Sequence, residues 1–163
     1  VRALNDRDDS PLAGEIKLLG VGTGRVAQAP LAQELKKLFA ADAFGSKNKA
    51  EFYEDMKKFF VNYFKQVALV FGGAWNGRKY SIKSATALRA FIRVAPEVVR
   101  RLDQEHAERG DFRAIGRVIS PWGRRIGDLR FETEGQWKRS GTTVESLSKE
   151  LRLALQYPEG AAM

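Results

Sequence analysis

The sequence predicts a mainly α-helical single domain with a small β-hairpin element near its start. Three observations carry that expectation. Apolar residues between positions 49 and 71 recur every three or four residues, the period of one helix face. Helix-entry signals stand ahead of three further apolar-periodic stretches, at Pro30, Ser84 and Thr142. One glycine-punctuated stretch alone, residues 14–29, reads as short strands.

In chain order, Ile16, Leu18 and Leu19 suggest a first strand and residues 25–27 a second, with glycines making a tight turn between them. The run Gly20-Val21-Gly22-Thr23-Gly24 lacks both the GxGxxG spacing and the Lys-Ser/Thr of a phosphate loop, so a turn explains it better. Pro30 starts a helix carrying Leu31, Leu35, Leu38 and Phe39, since a proline near the first position needs no N–H. Residues 40–48 break it, with Gly45-Ser46 as the turn. Next comes a long helix with a broad aromatic face: Phe52, Met56, Phe59/Phe60, Tyr63/Phe64, Val67 and Val70/Phe71. An aromatic stripe at this spacing is core. Gly72-Gly73 ends that helix and Trp75-Asn76-Gly77 makes a turn.

Ser84 caps a helix bearing Leu88, Phe91, Ile92 and Ala95. Pro96 reads as a kink or as the first residue of a new helix. Val98, Val99, Leu102 and Ala107 carry the apolar face on towards Gly110. A further helix spans 112–119 and stops at Ser120-Pro121. Residues 121–141 have no clean period and read as loops with short elements. Thr142 is the expected N-cap of the last helix, with Glu145 as its reciprocal partner three residues on. Val144, Leu147, Leu151 and Leu155 give that helix its buried side, and 159–163 is expected to be a frayed tail.

Composition narrows the function classes. The chain has 163 residues, 44% hydrophobic and 29% charged, the balance of a globular protein with a core. Cysteine is absent, so disulfides and thiolate metal sites are excluded, and a reducing compartment such as the cytoplasm is expected. No run of about 18 apolar residues occurs, and no membrane association is expected. Net charge is +8. Between Arg78 and Arg139, fifteen Lys and Arg face eight Asp and Glu, so most of the excess lies in the second half. A basic half-domain suits a polyanion.

Catalytic candidates are thin. The single histidine, His106, sits near a helix C-terminus, where the helix dipole favours its charge, and no nucleophile or HExxH partner accompanies it. Asp6, Asp8 and Asp9 could hold Mg²⁺ through oxygen, yet the pattern is not an EF-hand. Asn5, Asp9, Ser10 and Pro11 serve better as a turn. No catalytic residue, metal ligand or cofactor is therefore assigned.

Arginine is the richer signal, because its planar fork matches phosphate. Arg89 and Arg93 are four apart on one helix, with Arg100 and Arg101 beyond Pro96; Arg113 and Arg117 repeat the spacing on the next helix. Arg124, Arg125, Arg130, Lys138 and Arg139 follow in the loops beside Trp122 and Trp137. The candidate nucleic-acid-binding set is Arg89, Arg93, Arg100, Arg101, Arg113, Arg117, Arg124, Arg125, Lys138 and Arg139. The tryptophans could stack on unpaired bases; anchoring the loops to the core is the favoured reading. No helix-turn-helix, RRM or KH pattern supports a sequence reader.

The run Leu4–Ile16, L-N-D-x-D-D-S-P-L-x-G-x-I, resembles a segment in DGQHR-domain proteins, the group that includes the DndB-type DNA-sulfur-modification proteins. The later order is similar too: a long aromatic helix, Trp75 near its end, a helix from Leu88 to Val94, a W-x-x-x-x-G stretch and a final leucine helix. The resemblance implies the C-terminal helical part of a larger protein, because the D-G-Q-H-R signature is absent here. It implies a setting of bacterial DNA phosphorothioation, phage defence and transcription regulation, with DNA and other subunits as partners and oligomers possible. No signature residue transfers to this chain. The expected function is a non-catalytic DNA-associated module gripping phosphates through a basic helical face. The alternative is an interaction scaffold that docks a catalytic half or a partner subunit.

Overall fold

The computed structural model describes residues 1–17, 26–45, 48, 50–133 and 142–156. Eight α-helices appear among them: α1 Arg2–Asp6, α2 Gln28–Ala40, α3 Phe52–Val70, α4 Gly72–Asn76, α5 Ala85–Gln104, α6 Phe112–Ile119, α7 Pro121–Arg125 and α8 Val144–Gln156. A 3-10 turn covers Asp128–Phe131. Two two-residue strands, β1 Ile16–Lys17 and β2 Val26–Ala27, complete the described elements.

The β element corrects the hairpin expectation. β1 and β2 pair in parallel, Ile16 with Val26 and Lys17 with Ala27, so they cannot be the arms of a tight-turn hairpin. The first strand is positioned from upstream: the Ile16 amide donates to Asn5 Oδ1 at 2.8 Å, and the Gly14 amide to the Asn5 carbonyl at 3.1 Å. Leu18, Leu19 and Arg25 lie outside the described residues, as do Ser46 and the 159–163 tail.

α2 starts two residues before Pro30, which still occupies the first turn, where a missing N–H removes no helical bond. The long helix α3 ends at Val70, just before Gly72-Gly73 as expected, but the glycines, Trp75 and Asn76 form a short helix rather than a turn. Phe71 leaves helical geometry (φ −111°, ψ 44°) and the chain re-enters as α4, with the Trp75 amide on the Phe71 carbonyl at 2.8 Å.

Pro96 neither breaks α5 nor starts a new helix; it is buried inside a continuous 20-residue helix. The proline deprives the Ile92 carbonyl of its i+4 donor. One residue upstream, the Phe91 carbonyl accepts the Tyr63 hydroxyl at 2.7 Å, which ties α3 to α5 near the interruption. Burial, with a lesser contribution from Glu97, pushes the Tyr63 phenol well above its usual range, so it donates throughout the working pH range.

The core is aromatic and forms around these two helices. Tyr63 stacks on Phe59 (5.2 Å, 13°) and meets the edge of Trp122 (6.2 Å, 70°). Phe91 packs against Trp122, Phe71 and Phe131. α5 is flanked by α2, α6 and α8, and α3 lies on α6. Gly116 permits that last approach: a Cβ there would stand 2.7 Å from the Gln66 amide nitrogen, and Gln66 donates to the Phe112 carbonyl at 2.8 Å.

The last helix enters one residue later than expected. Thr143 is its N-cap: the Ser146 amide donates to Thr143 Oγ1 at 3.0 Å and the Thr143 amide to Ser146 Oγ at 2.9 Å. This is a reciprocal cap with serine in the place expected for Glu145. Thr142 instead accepts from Arg130, which is buried and also held by Glu150 at 2.9 Å.

Candidate nucleic-acid interface

α6 shows how the chain presents arginine. Asp111 caps it, accepting the Ala114 amide at 3.0 Å, and Ala114, Ile115 and Ile119 turn inward. At 100° per residue the opposite side carries Arg113 and Arg117, both exposed. Ser120 keeps right-handed helical angles (φ −52°, ψ −34°), so the path runs on into α7 with Pro121 at its first position. Pro121 and Trp122 are buried, which turns Arg124 to the same outer side. Arg113 and Arg117 lie one turn apart, roughly 6 Å along the α6 axis, and Arg124 follows seven residues on in α7. No described residue pairs with the Arg113 or Arg117 guanidinium. Arg125, on the neighbouring arc, is half-buried.

Arg89 and Arg93 have the same four-residue spacing and a different environment. They face α2, where both converge on Glu34: Arg89 Nη2 to Oε1 at 2.9 Å and Arg93 Nη2 to Oε1 at 2.6 Å. The Glu34 side chain is only 3% exposed. Burial works to raise its pKa, but the hydrogen bonds and charges of Arg93 and Arg89 outweigh it and hold the carboxyl below the usual range. The face expected to be freely basic here is thus an internal charge cluster. Sequence reasoning missed Glu34, although the signal was present. It falls within the apolar stripe Leu31, Leu35 and Leu38, where a carboxylate needs a cation.

Arg101 is half-buried and donates to the Leu155 carbonyl at the end of α8, whereas Arg100 is exposed. Lys138, Arg139 and Trp137 lie outside the described residues. Trp122 is fully buried and its indole N–H donates to the Leu151 carbonyl at 3.0 Å, so it anchors α7 to α8.

The run beginning at Leu4 folds as a connector. Asn5 orients β1, Ser10 Oγ accepts the Leu12 amide at 3.2 Å, and Asp9 is paired with Arg7 at 2.9 Å and Lys65 at 3.3 Å. Among the described residues no three His, Asp or Glu side chains group as a metal ion would require. No described helix is long and apolar enough to cross a membrane.

His106 has a backbone role. It sits at φ 56°, with its amide on the Asp103 carbonyl (3.1 Å) and the Ala107 amide on the Leu102 carbonyl (2.9 Å). This paired closure of a helix end favours glycine at the left-handed position. His106→Gly should therefore stabilise the protein by about 1 kcal/mol, read as a raised denaturation midpoint with an unchanged slope. No gain would mean the histidine ring contributes a contact at that end.

No protein-family model, curated protein or solved structure matches the chain.

Proposed function

We propose that this chain is a non-catalytic module that grips the backbone of DNA through the arginine row of α6 and α7. One observation carries the reading: Arg113 and Arg117 stand one turn apart on an exposed helix side, and no described acid neutralises either. Arg124 extends the row. Two unneutralised guanidiniums one helical turn apart suit neighbouring phosphates and offer no base-reading pattern, so binding is expected to be indifferent to sequence. The likeness of residues 4–16 to DGQHR-domain proteins supports the same direction, with DNA modification and phage defence as the setting.

The test is a labelled duplex titrated across salt concentrations. Each phosphate contact adds about 0.9 to the slope of log affinity against log salt. Arg113→Glu/Arg117→Glu should weaken binding at low salt by one to two orders of magnitude and flatten the slope by about two. An unshifted duplex near 0.15 M salt, or a double variant that binds as the parent does, refutes the reading.

The second reading is a docking scaffold. It is favoured by Leu153, half exposed and sharing a shallow groove with Ile126 and Ala154. Self-association abolished by Leu153→Glu, in a chain that leaves the duplex unshifted, would select it.

A further inference from the structure

α5 and α8 run side by side in the same direction: Glu97 bonds Arg152, and one turn on Arg101 bonds the Leu155 carbonyl. Their last turns therefore end together. Between them lies a cleft of about 360 Å³ lined by Glu97, Arg100, Arg101, Gln104, Arg152 and Gln156. It holds three guanidiniums and two carboxamides against one carboxylate.

We propose that this cleft binds a small phosphate-bearing anion, such as a diphosphate or a phosphomonoester. Two helix C-termini place about one unit of negative charge nearby, and Glu97 adds another; three arginines exceed the two together. The arginines are also held in place. Arg152 is fixed by Nε to Glu97 Oε1 at 3.0 Å, and Arg101 by one terminal nitrogen on the Leu155 carbonyl. Each such bond occupies a single nitrogen of a group with five N–H donors. The remaining donors of both have no other described partner, and Arg100 has none at all. A guanidinium pair fixed beforehand loses little freedom when an anion arrives, which favours affinity over a merely charged surface. The carboxamides of Gln104 and Gln156 add neutral donors at the mouth, and Leu155 supplies an apolar wall.

The site is separate from the α6–α7 row and does not depend on it. The same arginines could serve only to neutralise two helix ends, and calorimetry with inorganic pyrophosphate at about 0.15 M salt decides between the two roles. The expected result is saturable heat at one site per chain. Arg100→Gln should weaken binding about tenfold and Arg100→Glu further still, with the melting temperature of the ligand-free protein unchanged because Arg100 is exposed and unpaired. Arg113→Glu/Arg117→Glu should leave pyrophosphate binding intact, so failure here and failure of the DNA reading are told apart. The proposal is overturned by absent saturable heat, by Arg100 variants that bind as the parent does, or by equal loss in the α6 double variant. A lowered melting temperature in Arg100→Gln without any pyrophosphate effect would assign the arginines to the helix ends alone.

Discussion

Trp122→Ala should destabilise the protein by about 3–5 kcal/mol, the range for deleting a large buried aromatic side chain. The indole is wholly excluded from solvent and touches the rings of Tyr63 (6.2 Å) and Phe91 (5.7 Å), so its removal opens a void where α3, α5 and α7 meet. Packed aromatics on rigid helices collapse poorly into such a void, which places the cost towards the upper end. The Leu151 carbonyl loses the indole N–H as well. For a chain of this size each kcal/mol shifts the melting temperature by about 2–4 °C, so a fall of roughly 10 °C or more is expected by circular dichroism. Trp122→Phe keeps an apolar ring and gives up the hydrogen bond and part of the volume; it should cost about 1–2 kcal/mol. An alanine variant that melts within a few degrees of the parent would mean the indole does not bind α7 to the core. Because Trp122 also turns Arg124 outward, the phenylalanine variant should retain duplex binding.

The helices were legible where one face alone is apolar. The six apolar positions from Phe52 to Phe71, most of them aromatic, and the short period of 112–119 define α3 and α6 because burial on one side repeats every turn. Of the two readings of Pro96, the start of a new helix does not hold, because the rule that proline ends a helix describes an isolated one. Here burial among α2, α6 and α8 holds the helix together through the interruption. The β pair was illegible for a different reason. Two-residue strands carry no alternation, and their placement comes from Asn5, eleven residues upstream of the Ile16 amide it accepts. Thr142 and Thr143 are equivalent caps by sequence; the non-local bond of Arg130 to Thr142 leaves the capping role to its neighbour. For the site, spacing identified which arginines share a helix side and could not say what that side meets. Arg89/Arg93 and Arg113/Arg117 have the same separation, and one pair lies beneath α2 while the other faces outward.

That contrast makes Glu34→Gln the second informative substitution. Removing the carboxylate leaves two guanidiniums facing each other beside a buried amide, and breaking a buried ion pair typically costs about 3–5 kcal/mol. The arginine side chains remain 31% and 25% exposed, so water and rotamer changes relieve part of the repulsion, and about 2–3 kcal/mol is expected at neutral pH. The pH dependence follows from the direction of the Glu34 shift. Its folded carboxyl titrates below the unfolded one, so its contribution is complete above the ordinary glutamate pKa of about 4.3 and is lost as pH falls through the lower folded value. Parent and Glu34→Gln should therefore differ by a constant amount above about pH 5 and converge in acid, as read from urea midpoints at several pH values. A gap that stays constant down to pH 2 would show that the carboxylate charge is not what stabilises α2 on α5. Replacing all three members by apolar residues, as Glu34→Met/Arg89→Leu/Arg93→Met, should recover most of the lost stability, since no charge is then left buried without a partner. The same substitution weighs the two arginine pairs against each other in DNA binding. Glu34→Gln frees Arg89 and Arg93 without touching α6. If the α6–α7 row grips the duplex, affinity should change far less than in Arg113→Glu/Arg117→Glu. Binding tightened by an order of magnitude or more would transfer the interface to the α2–α5 side.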